Sequence, residues 1–261
     1  MKTGLRSVKA RRTHDCVLIF AITFACCVCY TFPREGIAEQ PPSEKIQKTE
    51  TNWLSKTLGI IEIMKLGQQL RQLYEQTRYT EAVPVAEELL STVEKAFGPE
   101  DPAVVGALNT LAVVYHACGK YERIESLLKR ALKIGEKEFG PEHPVVATTL
   151  NNLATLYRDI GEYEKAEPLF RRALTIREKV LGLEHPDVAV TLNNQAALYY
   201  ALGEYTKAGA SLERTLAIQE KTLGSEHFRI SQTLNNLATL YYALEPLHHG
   251  PGRHNTGDFK A

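Results

Sequence analysis

The chain has 261 residues, of which 31 are Lys or Arg and 31 are Asp or Glu, so its formal net charge is zero. A balanced charge excludes the strongly basic footprint with which nucleic-acid-binding proteins attract phosphate backbones. One or two globular domains would account for this length, but so would a repeat protein, because a stack of units is not limited by one central core.

The first 38 residues have the order of a secretory signal. Five basic residues precede an uncharged, mostly apolar run of 17 residues from Cys16 to Phe32, and small residues follow at Gly36-Ile37-Ala38. A run of this length is also at the lower limit for spanning a bilayer, so an uncleaved anchor is the alternative. In both cases the basic residues stay in the cytoplasm. We therefore predict that residues 1–38 are a signal peptide or N-terminal membrane anchor, and that the repeats lie on the non-cytoplasmic side.

Residues 39–58 are predicted to be a polar linker and helix lead-in. The segment contains Gln40-Pro41-Pro42-Ser43, and such a polar, proline-containing composition is typical of linkers. A helical pattern begins at its end, near Leu58.

A linking phrase recurs every 42 residues along the rest of the chain. Phe97-Gly98-Pro99-Glu100-Asp101-Pro102 returns at 139–144 and, with further substitutions, at 181–186 and 223–228. A fixed period of this size is typical of stacked supersecondary units, none of which can bury its apolar face alone. The period therefore predicts a repeat fold and favours binding over catalysis.

Each period contains the pattern of two helices. Leu150, Leu153, Ala154 and Tyr157 lie at i, i+3, i+4 and i+7, which is one face of an α-helix. Gly161 then ends the first helix, because glycine readily adopts the left-handed conformation found after a helix C-terminus. A second helix is predicted from about residue 163 to residue 180, with its apolar stripe at Ala166, Leu169, Phe170, Ala173 and Leu174.

These residues resemble the tetratricopeptide repeat family. The resemblance is carried by Leu-Asn-Asn-Leu-Ala-Thr-Leu-Tyr at 150–157, followed by Gly161 and Tyr163. Ordinary members have a period of about 34 residues, and the longer period here is similar to that of the kinesin light chain variety. The resemblance implies an all-α fold over residues 59–244: a right-handed solenoid of about four stacked antiparallel helix pairs and a lone final helix. It also implies an interaction scaffold, not an enzyme, that binds an extended peptide or protein segment in a concave groove.

Paired asparagines lie on the first helices, away from the apolar stripe. In the family that the repeats resemble, these helices line the groove, and the second asparagine of a pair holds the backbone of a bound peptide. A carboxamide suits this role because it both donates and accepts hydrogen bonds. Asn152, Asn194 and Asn236 are thus the leading contacts, and side chains one turn further on add selectivity. The predicted groove residues are Asn109, Asn151, Asn152, Asn193, Asn194, Asn235, Asn236, His116, Arg158, Tyr200 and Tyr242. The alternative is that the asparagines form hydrogen bonds only between repeats.

Histidines recur in the linking phrase at His143, His185 and His227. Adjacent helices pack about 8–10 Å apart, and equivalent atoms one repeat apart are separated further, whereas zinc ligands lie about 2.1 Å from a single ion. These histidines cannot share one metal, and we interpret them as loop-packing residues. The sequence contains no Gly-rich phosphate loop, nucleophile elbow or zinc-helix motif, so no catalytic residue, metal or cofactor is predicted.

The last unit loses the pattern after its first helix. Residues 245–261 are predicted to be an irregular tail. Without a second helix, Leu237, Leu240 and Tyr241 are expected to lack a covering partner, so that this end frays or forms a homodimer. A structural, self-assembling protein and a truncated remnant of a longer repeat protein are therefore the alternatives to a peptide-binding scaffold.

Overall fold

The computed structural model describes residues 44–224 and 227–248. The chain divides into two compact units, Met1–Glu50 and Thr51–Ala261. In the first unit the described residues are helical, and the second unit carries the repeats. The predicted signal peptide or anchor lies outside the described residues.

All regular secondary structure in the described ranges is helical. None of these helices is both long and apolar enough to span a bilayer. A short 3₁₀ helix spans Tyr121–Arg123. The α-helices are α1 (Glu44–Glu75), α2 (Tyr79–Phe97), α3 (Ala103–Ala117), α4 (Ile124–Phe139), α5 (Pro144–Asp159), α6 (Tyr163–Leu181), α7 (Pro186–Ala201), α8 (Tyr205–Leu223) and α9 (Phe228–His248).

Successive helices pack on one another as stacked pairs. The pairs are α1–α2, α3–α4, α5–α6 and α7–α8, and α9 packs on α8 as a further first helix. First helices also contact each other, α3 with α5 and α5 with α7. The prediction of an all-α solenoid built from helix pairs is confirmed.

Small and large residues alternate in the core between the paired helices. Ala154 of α5 and Ala166 of α6 are completely buried, and Phe170 fills the space beside them. An alanine at the centre of each face lets two helices approach closely, and an aromatic ring then fills the remaining volume. The 42-residue period places Ala112 and Ala196 at the same position of α3 and α7, where they are also buried.

The turns inside the pairs use a left-handed residue. Gly161 has φ 82° between α5 and α6, and the backbone N–H of Glu162 donates to the Tyr157 carbonyl at 2.8 Å. The equivalent position between α1 and α2 is Thr77, with φ 57°. A β-branched residue is strained in this conformation, by roughly 1–2 kcal/mol, so the first turn forms at a cost that the later turns avoid.

A repeated ion pair joins consecutive second helices. The second helices α4, α6 and α8 carry an arginine at the same position of the repeat. Each binds a glutamate of the preceding second helix at 2.5–2.6 Å: Arg130 with Glu94, Arg172 with Glu136, and Arg214 with Glu178. The same guanidinium groups also donate to carbonyls of the linking phrase, at Pro99, Pro141 and Leu183. These contacts set the position of the phrase relative to the next pair.

Both ends of the repeat region differ in detail from the expectation. Helix α1 begins at Glu44, inside the predicted linker and lead-in, because no glycine or proline interrupts the chain between Pro42 and Gly59. Helix α9 continues to His248, into the predicted tail.

The prediction that Leu237 and Leu240 lack a covering partner is wrong. Both side chains are buried, and they cluster with Ala208 and Leu212 of α8. The preceding second helix covers this side of α9, so only positions that face the other way stay exposed.

Candidate functional site

The linking phrase determines where each first helix begins. The Nδ1 atom of His143 accepts a hydrogen bond from the backbone N–H of Val145 at 3.2 Å, and His185 and His227 make the same contact with Asp187 and Arg229. A side chain that accepts from this N–H is an N-cap. The histidines interpreted as loop-packing residues are therefore helix caps, and they start α5, α7 and α9 in one common register.

That register aligns the predicted groove residues. Asn152, Asn194 and Asn236 occupy one position of α5, α7 and α9, 42 residues apart. We call the side of the first helices that carries them the groove face. Asn152 and Asn194 are partly exposed and Asn236 is exposed.

The asparagines are joined from repeat to repeat. The Nδ2 atom of Asn152 donates to Asn109 Oδ1 at 3.0 Å, that of Asn194 to Asn151 Oδ1 at 3.2 Å, and that of Asn236 to Asn193 Oδ1 at 3.3 Å. We call these three hydrogen bonds the asparagine ladder. The ladder links α3, α5, α7 and α9, so the hydrogen bonds between repeats that the alternative predicts are present.

Two of the predicted groove asparagines lie deeper than expected. Asn109 and Asn151 are buried instead of pointing away from the core. Asn109 also donates to the carbonyl of Val105 and to Thr149 Oγ1, both at 2.9 Å. Because the next first helix packs over these side chains, they act between repeats, and Asn152 lies nearer the surface than Asn151.

Two predicted selectivity residues meet at a residue that the sequence analysis missed. The Nε2 atom of His116 on α3 is 2.5 Å from Asp159 Oδ2, while Arg158 donates from Nε to Asp159 Oδ1 at 2.8 Å. Arg158 also reaches the backbone carbonyl of Asn194 on α7, at 3.4 Å. Asp159 and Arg158 of α5 therefore link three first helices. A signal for Asp159 exists in the sequence, since the equivalent positions in the other repeats are all alanine: Ala117, Ala201 and Ala243.

The other two predicted selectivity residues are more open. Tyr200 and Tyr242 are exposed on α7 and α9, Tyr242 by 77%. The ring of Tyr200 lies 5.5 Å from that of Tyr205. Exposed aromatic rings offer a large contact area at low conformational cost, so these tyrosines can receive an apolar or cationic group.

Several cavities open on the groove face, and two of them differ in chemistry. One, of about 660 Å³, lies over α1, α3 and α5, with a mainly apolar lining that includes Leu70, Tyr74 and Val113 beside Asn152. The other, of about 520 Å³, lies over α7 and α9, and six of its nine lining residues are amides: Asn193, Asn194, Gln219, Gln232, Asn235 and Asn236. The first suits an apolar side chain and the second a peptide backbone.

Comparison with known proteins identifies the repeat and its fold. The family model described as tetratricopeptide repeat matches residues 104–179 and 187–245. No curated protein matches the chain. Among solved structures, a putative kinesin light chain from Podosopora anserina with nearly identical tetratricopeptide-like repeats is 28% identical, with 71% of this chain and 88% of that chain covered and a TM-score of 0.57. A single-residue variant of that protein gives the same identity and coverage and a TM-score of 0.58. BtubC (BKLC) from P. vanneervenii is 21% identical, with 83% and 96% covered and a TM-score of 0.59, and supports the fold alone.

Proposed function

The chain belongs to the tetratricopeptide repeat family, and from that premise we propose that it is a scaffold which binds an extended segment of another protein along its groove face. The fold is that of a protein-interaction scaffold of the kinesin light chain-like variety. The proposal adds the surface, the conformation of the ligand and the residues that contact it.

The observation that carries the proposal is the placement of the two cavities. Both open on the same register of first helices, and both are lined by members of the asparagine pairs. An extended segment that follows the first helices would place an apolar side chain in the cavity over α3 and backbone groups in the amide-rich cavity over α7 and α9. Pockets with a few convergent polar groups beside apolar surface are typical of ligand sites.

The asparagine ladder leaves part of each carboxamide for a ligand. Asn194 and Asn236 each use one N–H in the ladder, and within the described residues their Oδ1 atoms accept no hydrogen bond. Each can therefore still accept from a peptide N–H and donate to a peptide carbonyl. One such bond contributes only about 0.5–1.5 kcal/mol, so the apolar cavity and the exposed tyrosines must supply most of the affinity.

The test distinguishes the loss of a ladder hydrogen bond from the loss of a hydrogen bond to the ligand. Asn194→Ala and Asn151→Ala remove the same hydrogen bond from opposite sides, but only Asn194 lines the amide-rich cavity. The full chain is used to select binders from a library of random linear peptides, and the selected peptides are titrated against the parent, Asn194→Ala and Asn151→Ala. Thermal unfolding confirms that the two variants are equally folded.

We expect a loss of at least about tenfold in peptide affinity for Asn194→Ala, because two ligand hydrogen bonds are lost. The matched variant Asn151→Ala should bind within about threefold of the parent, because Asn151 lines neither cavity. Equal losses in the two variants would mean that the asparagines act only between repeats. A library that yields no binder would contradict the groove proposal itself.

Self-association through the C-terminal end is the second candidate. It is favoured by the exposure of Leu234 and Tyr241 on α9. Light scattering over a range of protein concentrations measures it directly. A mass that stays at one chain throughout would reject a structural, self-assembling role.

A further inference from the structure

The final helix has one face that no described helix covers. Leu234 is 48% exposed and Tyr241 is 52% exposed, and Ala238 between them is exposed as well. We call these three residues the uncovered stripe. They lie at i, i+4 and i+7, so they form one side of α9. With 3.6 residues per turn, Asn236 and Thr239 of the groove face lie on roughly the opposite side.

The same stripe is closed in the preceding repeats. Leu150, Ala154 and Tyr157 of α5 are 0%, 0% and 5% exposed. Leu150 clusters with Ala173 and Ile176 of the second helix α6. In the next pair, Ala196 of α7 clusters with Ala208 and Leu212 of α8. The uncovered stripe is therefore the direct continuation of an interface that the chain already forms several times.

The covering helices share a chemical pattern. Each carries a lysine whose ammonium lies over the tyrosine ring of the first helix, Lys165 over Tyr157 at 5.3 Å and Lys207 over Tyr199 at 5.2 Å. A buried alanine follows directly, and a large apolar residue comes four positions later, at Phe170 in α6 and Leu212 in α8. The contact is thus specified by a cation, a small residue and a large apolar residue on one helix face.

Tyr241 has half of this arrangement. Its hydroxyl donates to Glu213 Oε1 of the preceding second helix at 3.2 Å, as the hydroxyl of Tyr157 donates to Glu125 Oε1 at 2.9 Å. In the described part of the chain no lysine lies over the Tyr241 ring, in contrast to Tyr157. The ring is held in place on one side and open on the other.

We propose that the uncovered stripe binds an amphipathic helix supplied by a partner, with the second-helix pattern of lysine, alanine and a large apolar residue. The partner helix would place its lysine over Tyr241 and its alanine and large apolar residue against Ala238. The turn that follows would cover Leu234, as Ala173 and Ile176 of α6 cover Leu150. This surface is separate from the groove face, so it gives the scaffold a second binding site with a helical ligand instead of an extended one.

The experiment uses the chain's own covering helix as the probe. A fluorescent peptide of residues 161–182, which includes α6, is titrated against the full chain and followed by fluorescence anisotropy. We expect saturable binding in the micromolar range. Ala238→Gln, which places a bulky polar side chain in the middle of the stripe, should weaken binding at least about tenfold. The matched control Thr239→Gln changes the neighbouring exposed residue on the groove face and should leave binding unchanged.

A matched pair of substitutions in the peptide tests the role of its lysine. Lys165→Glu reverses the charge over the ring and should weaken binding severalfold, whereas Lys179→Glu changes a lysine that in the chain pairs with Glu142 of the linking phrase. The second change should have no effect. Circular dichroism of each protein variant confirms that its helix content is that of the parent, which is expected because Ala238 and Thr239 are both exposed.

Three results would overturn the proposal. Absence of peptide binding would mean that the stripe does not accept a helix of this type. Equal binding to Ala238→Gln would mean that the peptide replaces α6 in its own place. A concentration-dependent dimer of the full chain that Ala238→Gln dissolves would make a second copy the occupant.

Discussion

The same nine residues, Thr-Leu-Asn-Asn-Leu-Ala-Thr-Leu-Tyr, occur at 149–157 in α5 and at 233–241 in α9, and the structure treats them differently. In α5, which has a second helix before it and another after it, Leu150 and Tyr157 are both buried. In α9, Leu237 and Leu240 are buried like Leu153 and Leu156, but Leu234 and Tyr241 are exposed.

The difference shows which neighbour each position needs. Leu237 and Leu240 pack on the second helix that precedes them in the chain, and a preceding second helix is present for Leu153 and Leu156 as well. Leu150 and Leu234 depend on the second helix that follows. In a repeat protein a helix face is therefore stabilised by nearest neighbours only, and one missing neighbour affects one face.

The stability cost of an alanine substitution should differ most between α5 and α9 at the leucine that packs on the following helix. Leu150→Ala removes a fully buried side chain and should reduce the free energy of unfolding by about 2–5 kcal/mol. Leu234→Ala should cost less than about 1 kcal/mol, because the side chain is half exposed already. Urea unfolding followed by circular dichroism measures both. Equal costs would show that α9 is covered in solution.

The stability cost of an alanine substitution should be more alike in α5 and α9 at the leucines that pack on the preceding helix. Leu153→Ala and Leu237→Ala both remove buried side chains, so each should destabilise its own helix by about 2–5 kcal/mol. Because a terminal helix can open alone, Leu237→Ala should speed amide hydrogen exchange in α9 and leave α5 unchanged. Faster exchange in α5 as well would mean that the two helices unfold as one unit.

A smaller difference in stability cost between α5 and α9 is expected for the first asparagine of the pair. Asn151→Ala removes the acceptor of Asn194 Nδ2 and should cost about 1 kcal/mol. Asn235→Ala should be nearly neutral, because the Asn235 side chain takes part in no ladder bond in the described residues. Thermal unfolding of the two variants side by side is sufficient. A large cost at Asn235 would reveal a further partner for its carboxamide.

The smallest difference between α5 and α9 is expected in the loss of stability at alkaline pH. Burial, reinforced by the hydrogen bond to Glu125, raises the pKa of Tyr157, and the hydrogen bond to Glu213 raises the pKa of Tyr241. A raised pKa in the folded state contributes stability that is complete below the unfolded value of about 10 and is lost as the pH rises through the folded value.

Tyr157→Phe should therefore reduce the fall in melting temperature above about pH 10. Tyr241→Phe should change it less, because solvent screens the exposed hydroxyl. Melting temperatures measured from neutral pH upward test this order. A larger effect at Tyr241 than at Tyr157 would contradict it.

Much of the fold could be predicted because each unit repeats its local signals. Leu150, Ala154 and Tyr157 predict a helix face, Gly161 ends that helix, and the period of 42 residues places the next unit on the same pattern. The helix bounds were harder to predict from the sequence. The start of α1 at Glu44 depends on the absence of helix-breaking residues, which is a weaker signal than a glycine or an apolar period.

The candidate site could be predicted only as a set of positions. The spacing places Asn152, Asn194 and Asn236 at one register of the first helices, but it contains no information on hydrogen-bond partners. That Asn151 is buried and accepts from Asn194 follows from how closely α5 and α7 pack. Asp159 was missed because a single charged residue on a helix is usually solvated, and only the stacking of first helices brings His116 to it.

By itself the sequence determined the helix pairs, their period and their stacking order, because these depend on local propensities that recur at a fixed spacing. The tertiary structure decided which polar groups are buried, and Arg177 of α6 is the clearest case. Its guanidinium lies inside the repeats, where it donates to the Asp187 carbonyl, Thr191 Oγ1 and Thr148 Oγ1, and burial lowers its pKa. The equivalent residues of the neighbouring repeats are Gly135 and Gln219. A charged side chain is buried only where surrounding acceptors replace water. Those acceptors come from two other helices, α5 and α7, and no local pattern of residues specifies that they meet at this point.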